Sequence, residues 1–243
     1  MTDAQVSKDV AVDAGDAMAA TADVIVSSEG MYGGGVQFSV GNADVQSSLD
    51  VNCSGPNSTG WFTCAATTER GLSVTRAIRF WNGTSFGLGF SAATDSVNHA
   101  LNASGTLTPT ANKTIWAKRS DSLTMKVARG ANPTRTWIGT GKVADSSKVS
   151  ENSQTRVYHY TAANVISNVV FNIPRSANPY PASGSISHDA VLTLNATDGT
   201  HTQNRTVTRH AVVTFNGTAN VTLVVGELTC ALNLATHAVT GCH

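Results

Sequence analysis

The residues whose spacing says most about chemistry in this chain are its four cysteines. Cys53 and Cys64 have ten residues between them, and Cys230 and Cys242 have eleven. Zinc knuckles and dithiol redox motifs hold their sulfurs two to four residues apart, so neither pair reads as a metal or redox site. Two local hairpin disulfides fit the spacing instead. In the tail, strand register predicts the bond: if Ala235, Thr236 and His237 form a three-residue loop, Leu234 stands opposite Ala238, Leu232 opposite Thr240 and Cys230 opposite Cys242. Each short staple contributes on the order of 2–3 kcal/mol in the chain-entropy picture. Bonds of this kind imply an oxidising compartment, so the expected location is secreted, periplasmic or cell-surface.

The remaining chemistry-bearing residues do not converge in the sequence. The seven histidines are His99, His159, His188, His201, His210, His237 and His243, and none lies in H-E-x-x-H or another short ligand spacing. With Asp198-Gly199 as a two-residue loop, His188 stands opposite Arg209 and beside His210, a poor setting for a cation. The stretch Ser183-Gly184-Ser185-Ile186-Ser187-His188 has hydroxyls and an imidazole but lacks G-x-S-x-G and alternates like a strand. Outside the N-terminal stretch, carboxylates are sparse, and no feature selects a glycosidase-like pair among them. Gly33-Gly34-Gly35 is not followed by Lys-Ser/Thr, so it is no phosphate loop. No catalytic residue, metal ligand or cofactor is expected from these patterns.

Aromatic rings are the better candidates for binding, because flat exposed rings stack on sugar faces. Trp61, Trp81, Trp116 and Trp137 qualify by type, and Tyr158 and Tyr160 flank His159 on one strand. The ligand-binding set expected is Tyr158, Tyr160, His159, Trp116 and Trp137. Nine N-x-S/T sequons, among them Asn57, Asn82 and Asn216, would carry glycans only in a host that modifies them.

These groups must be positioned by strands. The chain has 243 residues, 41% hydrophobic and only 13% charged, and its formal net charge is zero. Residues 1 to 50 hold eight acids against Lys8 alone, whereas residues 70 to 156 hold twelve Lys or Arg against four acids. That asymmetry reads as a solvated acidic arm and an ordinary basic sheet face. The cations are dispersed over several strands, so a nucleic-acid footprint is not expected. Ile186, His188, Ala190, Leu192 and Leu194 alternate with polar neighbours at the period of a half-buried strand, and Asn82-Gly83 and Asn216-Gly217 read as tight turns.

Residues 3 to 21 are the one credible helix, with Val6, Val10, Ala14, Ala17 and Met18 on one face and Gly15 weakening it. Strands are expected at 36–40, 44–53 and 61–68, and at intervals from Leu72 to the C-terminus. The fold class expected is all-β: a single large antiparallel β-sandwich or up-and-down barrel of about 12–15 strands, with a short N-terminal helix or acidic arm. Residues 1–30 form that arm and 31–243 the all-β domain, with a possible sub-boundary at the proline-bearing stretch 174–181. No apolar run is long enough to span a bilayer, and Met1-Thr2-Asp3 opens no signal peptide, so a mature domain is expected. The functional expectation is a non-catalytic extracytoplasmic surface, structural or adhesive module, whose partner is a glycan, another surface protein or a second copy. The alternative is a ligand-binding barrel or lectin-like carrier of an apolar or glycan ligand, and below it stands a hydrolase with an unrecognised site.

Overall fold

Alternation of inward and outward residues from Leu72 onward becomes, in the computed structural model, one antiparallel sheet of 14 strands. The structure describes residues 3–32, 53–151, 154–173, 179–197 and 202–243. The helix α1 spans Asp3–Tyr32. The first strands are β1 (Cys53–Ser54), β2 (Phe62–Cys64), β3 (Thr67–Glu69), β4 (Leu72–Trp81) and β5 (Phe86–Gly87). Six long ones follow: β6 (Ser96–Thr110), β7 (Lys113–Ala128), β8 (Thr134–Glu151), β9 (Gln154–Asn172), β10 (Ser183–Thr197) and β11 (Thr202–Thr214). The last are β12 (Asn220–Val225), β13 (Leu228–Asn233) and β14 (Val239–Thr240). Sheet order follows chain order, β1-β2-β4-β6 and then consecutively to β14, with β3 and β5 flanking β4. The all-β architecture with an N-terminal helix is therefore observed as one meander that does not close, instead of two stacked sheets or a complete barrel.

The sheet curls because it has something to curl around. Val6, Val10, Ala14 and Met18 of α1 are buried, and so are Ala11, Ala19 and Ala22 on its other sides. A helix with buried apolar residues on more than one side belongs against a core, and small alanines let strands approach it closely. On one flank, a Cβ built on Gly15 would meet Val239 Cγ2 at 2.6 Å and Leu223 Cδ2 at 3.2 Å, so the glycine that weakens the helix is what admits β12–β14. On the opposite flank α1 faces β7–β9. The two ends of the sheet meet where Arg70 donates to Ala235 O at 2.9 Å and Thr236 O at 3.2 Å. The helix also runs eleven residues past the expected end at 21, and Ala22, Val24, Ile25 and Ser28 in that extension are buried, so packing outweighs weak propensity.

Both disulfides form, Cys53–Cys64 and Cys230–Cys242. The tail register differs from expectation by one residue: Leu232 pairs with Val239 and Ala231 with Thr240, so the loop has four residues, Leu234–His237. Asn233 causes this, its Oδ1 accepting from the backbone N–H groups of Ala235 and Thr236 at 3.0 Å each. Gly241, at φ 64°, absorbs the extra residue, and Thr229 and His243 then exchange backbone hydrogen bonds at 3.1 Å, bringing the two sulfurs together. Asp198-Gly199, Gly33-Gly34-Gly35 and the strands expected at 36–40 and 44–53 lie outside the described residues, apart from Cys53 itself. The strands flanking Asp198-Gly199 pair Thr197 with Thr202, which puts Ala211 opposite His188 where Arg209 was expected. The other Asn-Gly turns are longer than two residues: Asn82 and Asn216 accept from the backbone N–H of Thr84 (3.3 Å) and Thr218 (3.0 Å). Across the proline-bearing stretch, β9 and β10 pair directly from Ser183↔Val170 to Thr197↔Thr155. No described helix is long and apolar enough to cross a membrane.

Candidate functional site

Titratable side chains converge in the concave face of the sheet, on the inward positions of β7, β8 and β9. Lys113 and Arg119 come from β7, Asp145 and Ser147 from β8, and Arg156, Tyr158 and Tyr160 from β9, all buried. The period of two aims them inward, and α1 aims Asp9, Asp13 and Asp16 back at them. Lys113 Nζ lies 2.7 Å from Asp13 Oδ1, and Ser147 Oγ donates to Asp13 Oδ2 at 3.0 Å. Arg119 Nη2 donates to Asp16 at 2.8 Å and to Asp145 at 2.7 Å, with Nε reaching Asp145 at 2.9 Å. Arg156 Nε donates to Asp9 Oδ2 at 2.8 Å, and the Tyr158 hydroxyl donates to the same oxygen. The described part of the acidic stretch is thus no solvated arm: Asp9, Asp13 and Asp16 are the partners of Arg156, Lys113 and Arg119.

His237, at the tip of the β13–β14 hairpin, closes the network from the other side. Its Nδ1 is 3.0 Å from Asp16 Oδ1 and its Nε2 is 2.8 Å from Asp23 Oδ2. Burial favours the neutral ring, but two carboxylates outweigh it and hold the His237 pKa above its ordinary value. Burial likewise pushes Asp16 up, yet the His237 hydrogen bond and the Arg119 charge pull it down to about 2. His99 and His188 are neutral, burial lowering each to about 3.

This network can bind the helix to the sheet. A hydrolytic histidine needs one nitrogen for a carboxylate and one for the nucleophile. Within the network both nitrogens of His237 face carboxylates and His188 Nδ1 faces the Tyr160 hydroxyl at 3.0 Å, while at the surface His210 Nδ1 lies 2.7 Å from Asp189 Oδ1. Among the described residues no group of three or more His, Cys, Asp or Glu could hold a metal ion. A cavity of about 50 Å³ lies between the second half of α1 and β4 and β6, floored by Leu72, Val74 and Leu101 and rimmed by Arg70, Asp23 and His237.

The five aromatic and histidine residues expected to bind ligand do not share one surface. Tyr158 and Tyr160 point inward, whereas His159 between them points outward, its Nδ1 3.0 Å from Ser146 Oγ; adjacent strand residues take opposite faces. Trp116 is 46% exposed on the outer face. Trp137 is fully buried, its ring centroid 4.8 Å from that of His99. A different aromatic group does assemble outside. The Arg79 guanidinium sits 4.7 Å from the ring centres of both Trp61 and Phe86, and Trp81 packs edge-on to Phe86 at 5.2 Å. The signal for it was the Asn82-Gly83 turn, which pairs Trp81 with Phe86. Comparison of the chain with known protein families, curated proteins and solved structures finds no match.

Proposed function

We propose that the chain is a non-catalytic extracytoplasmic surface, structural or adhesive module. The observation that carries the reading is that α1 fills the concave face of the sheet. A carrier needs a continuous lumen for its ligand and a hydrolase needs a cleft with an available acid and base. Here the lumen is occupied by the chain's own helix, and the acids and bases neutralise one another. The outward residues, such as Thr193, Asn195, Thr206 and Thr208, are polar and weakly ionic, as suits a module that faces solvent or a partner. Two disulfides support an oxidising environment for such a module.

The test joins location to chemistry. Producing cells are treated with a protease that cannot cross membranes, thiols are counted in the released chain, and the purified protein is assayed against glycosidase, esterase and peptidase substrates. The reading expects a chain cleaved or shed outside the cytoplasm, with no free thiol and no turnover. Reduced thiols in a cytosolic chain, or turnover that Asp145→Asn abolishes, would overturn it.

A further inference from the structure

Two turns of this chain share one local sequence and differ in what holds it. Asn82-Gly83-Thr84 follows Trp81, and Asn216-Gly217-Thr218 follows Phe215. In any Asn-Gly the backbone nitrogen of the glycine lies close to the asparagine Cγ, with no side chain on the glycine to shield it. Attack of that nitrogen on Cγ closes a succinimide ring and expels the side-chain nitrogen as ammonia. What separates one Asn-Gly from another is therefore how firmly the fold restrains the attacking and leaving groups.

At Asn216 both groups are held. The Gly217 N–H donates to Pro181 O at 2.8 Å, and Asn216 Nδ2 donates to Asn220 O at 3.1 Å. At the other turn neither the Gly83 N–H nor Asn82 Nδ2 has such a partner among the described residues, and the carbonyl is the held group instead. Asn82 Oδ1 accepts from the Ser85 N–H at 2.8 Å, Thr84 Oγ1 at 3.2 Å, the Thr84 N–H at 3.3 Å and Ser85 Oγ at 3.3 Å. These donors polarise the carbonyl and face the oxygen on which negative charge develops when a nitrogen adds to Cγ, as an oxyanion hole does. Asp95 adds a proton acceptor. Its N–H donates to Trp81 O at 2.8 Å, and its carboxylate lies beside Gly83, where a built Cβ would meet Oδ2 at 2.6 Å. Gly83, Thr84 and Ser85 are exposed, so water reaches the turn.

We propose that Asn82 is a self-modification site, which the folded chain converts to aspartate and isoaspartate through a succinimide with Gly83 while Asn216 is preserved. The Gly83 nitrogen gives up its proton and bonds to Asn82 Cγ. The Cγ–Nδ2 bond then breaks, and the leaving nitrogen departs as ammonia with that proton. Water opens the ring at the side-chain carbonyl to give aspartate, or at the backbone carbonyl to give isoaspartate. No oxidant, metal or enzyme enters the balance. Isoaspartate adds a carbon to the main chain inside the turn that pairs Trp81 with Phe86, so the change reaches the outer aromatic group around Arg79. Either product also sets a new carboxylate in the turn that Asp95 flanks. The inference goes beyond the module reading and does not depend on it.

Peptide mass spectrometry of the purified full chain, sampled during incubation at mildly alkaline pH, tests the proposal. An isoaspartyl methyltransferase counts isoaspartate, and hydroxylamine traps the ring by cutting the chain between Asn82 and Gly83. Two hydrogen bonds must break before Asn216 reacts, so in the folded chain it should deamidate about tenfold more slowly than Asn82. In denaturant the two rates should converge, because the local sequences match. Asn82→Gln, whose longer side chain closes such a ring far less readily, should remove the faster signal together with the hydroxylamine cut. Equal rates in the folded chain, faster loss at Asn216, or conversion of Asn82 to aspartate with no isoaspartate would overturn the proposal.

Discussion

The two flanks of α1 meet the sheet by different physics. Toward β12–β14 the contact is mainly apolar and close, with Gly15 against Val239 and Leu223, and His237 at the hairpin tip adds a polar bridge to Asp16 and Asp23. Toward β7–β9 it is a set of buried ion pairs, Asp13–Lys113, Asp16–Arg119 and Asp9–Arg156. Removing apolar surface from water supplies free energy without direction, whereas a buried pair recovers little beyond its desolvation cost but tolerates only one alignment. The comparison teaches that β12–β14 hold the helix in the sheet and β7–β9 decide its rotation and height.

The sharpest way to break that division is to orphan a charge. Arg119→Met leaves Asp145 buried without its cation and Asp16 with His237 alone, and should cost about 3–5 kcal/mol in urea unfolding. On the apolar flank, Leu223→Ala empties a fully buried position and should cost about 2–5 kcal/mol. The two flanks separate when the pair is replaced whole. Lys113→Met with Asp13→Leu should cost less than Lys113→Met alone, and a double variant as unstable as the single one would show that the polar flank holds the helix by energy as well.

Smaller effects sharpen the same contrast. Gly15→Val drives a side chain into Val239 and Leu223 and should cost about 1–3 kcal/mol, read from the shift in unfolding midpoint. The bridge from His237 to Asp16 and Asp23 makes stability depend on pH. The folded ring titrates above 6.5, its ordinary value, so this stabilisation is complete below pH 6.5 and is lost as pH rises through the folded value. Unfolding measured from neutral to alkaline pH should show that decline in the native chain and a flatter profile in His237→Gln.

Much of the fold was legible because strand alternation and cysteine spacing are local signals. Ile186 to Leu194 predicts its inward face, and both disulfides follow from hairpin spacing. Registers across turns were less legible: Asn233 adds a residue to the tail loop and Gly241 takes it back, and only the geometry shows both. The binding set expected around Tyr158 and Tyr160 dissolved because burial, which the residue type does not disclose, turns those rings toward α1. The helix itself was legible, but a helix packed on the sheet and a tethering acidic arm share one local pattern. Acids in the first fifty residues and cations in residues 70 to 156 resemble an arm and a surface, yet Asp9, Asp13 and Asp16 meet Arg156, Lys113 and Arg119 across one internal interface. Asp9, Asp13 and Asp16 recur at helical spacing among Val6, Val10, Ala14 and Ala17, and that interleaving of acids with an apolar stripe was the available clue. Their partners stand a hundred residues or more away, beyond any local pattern.

Native-state hydrogen exchange measures the central claim most directly, because an enclosed helix can exchange only when the sheet opens. The backbone amides from Val10 to Ile25 should exchange as slowly as those of Tyr158 and Tyr160 in β9, with the same dependence on denaturant. Fast exchange along α1 while β9 stays protected would make the helix a detachable arm and contradict the account.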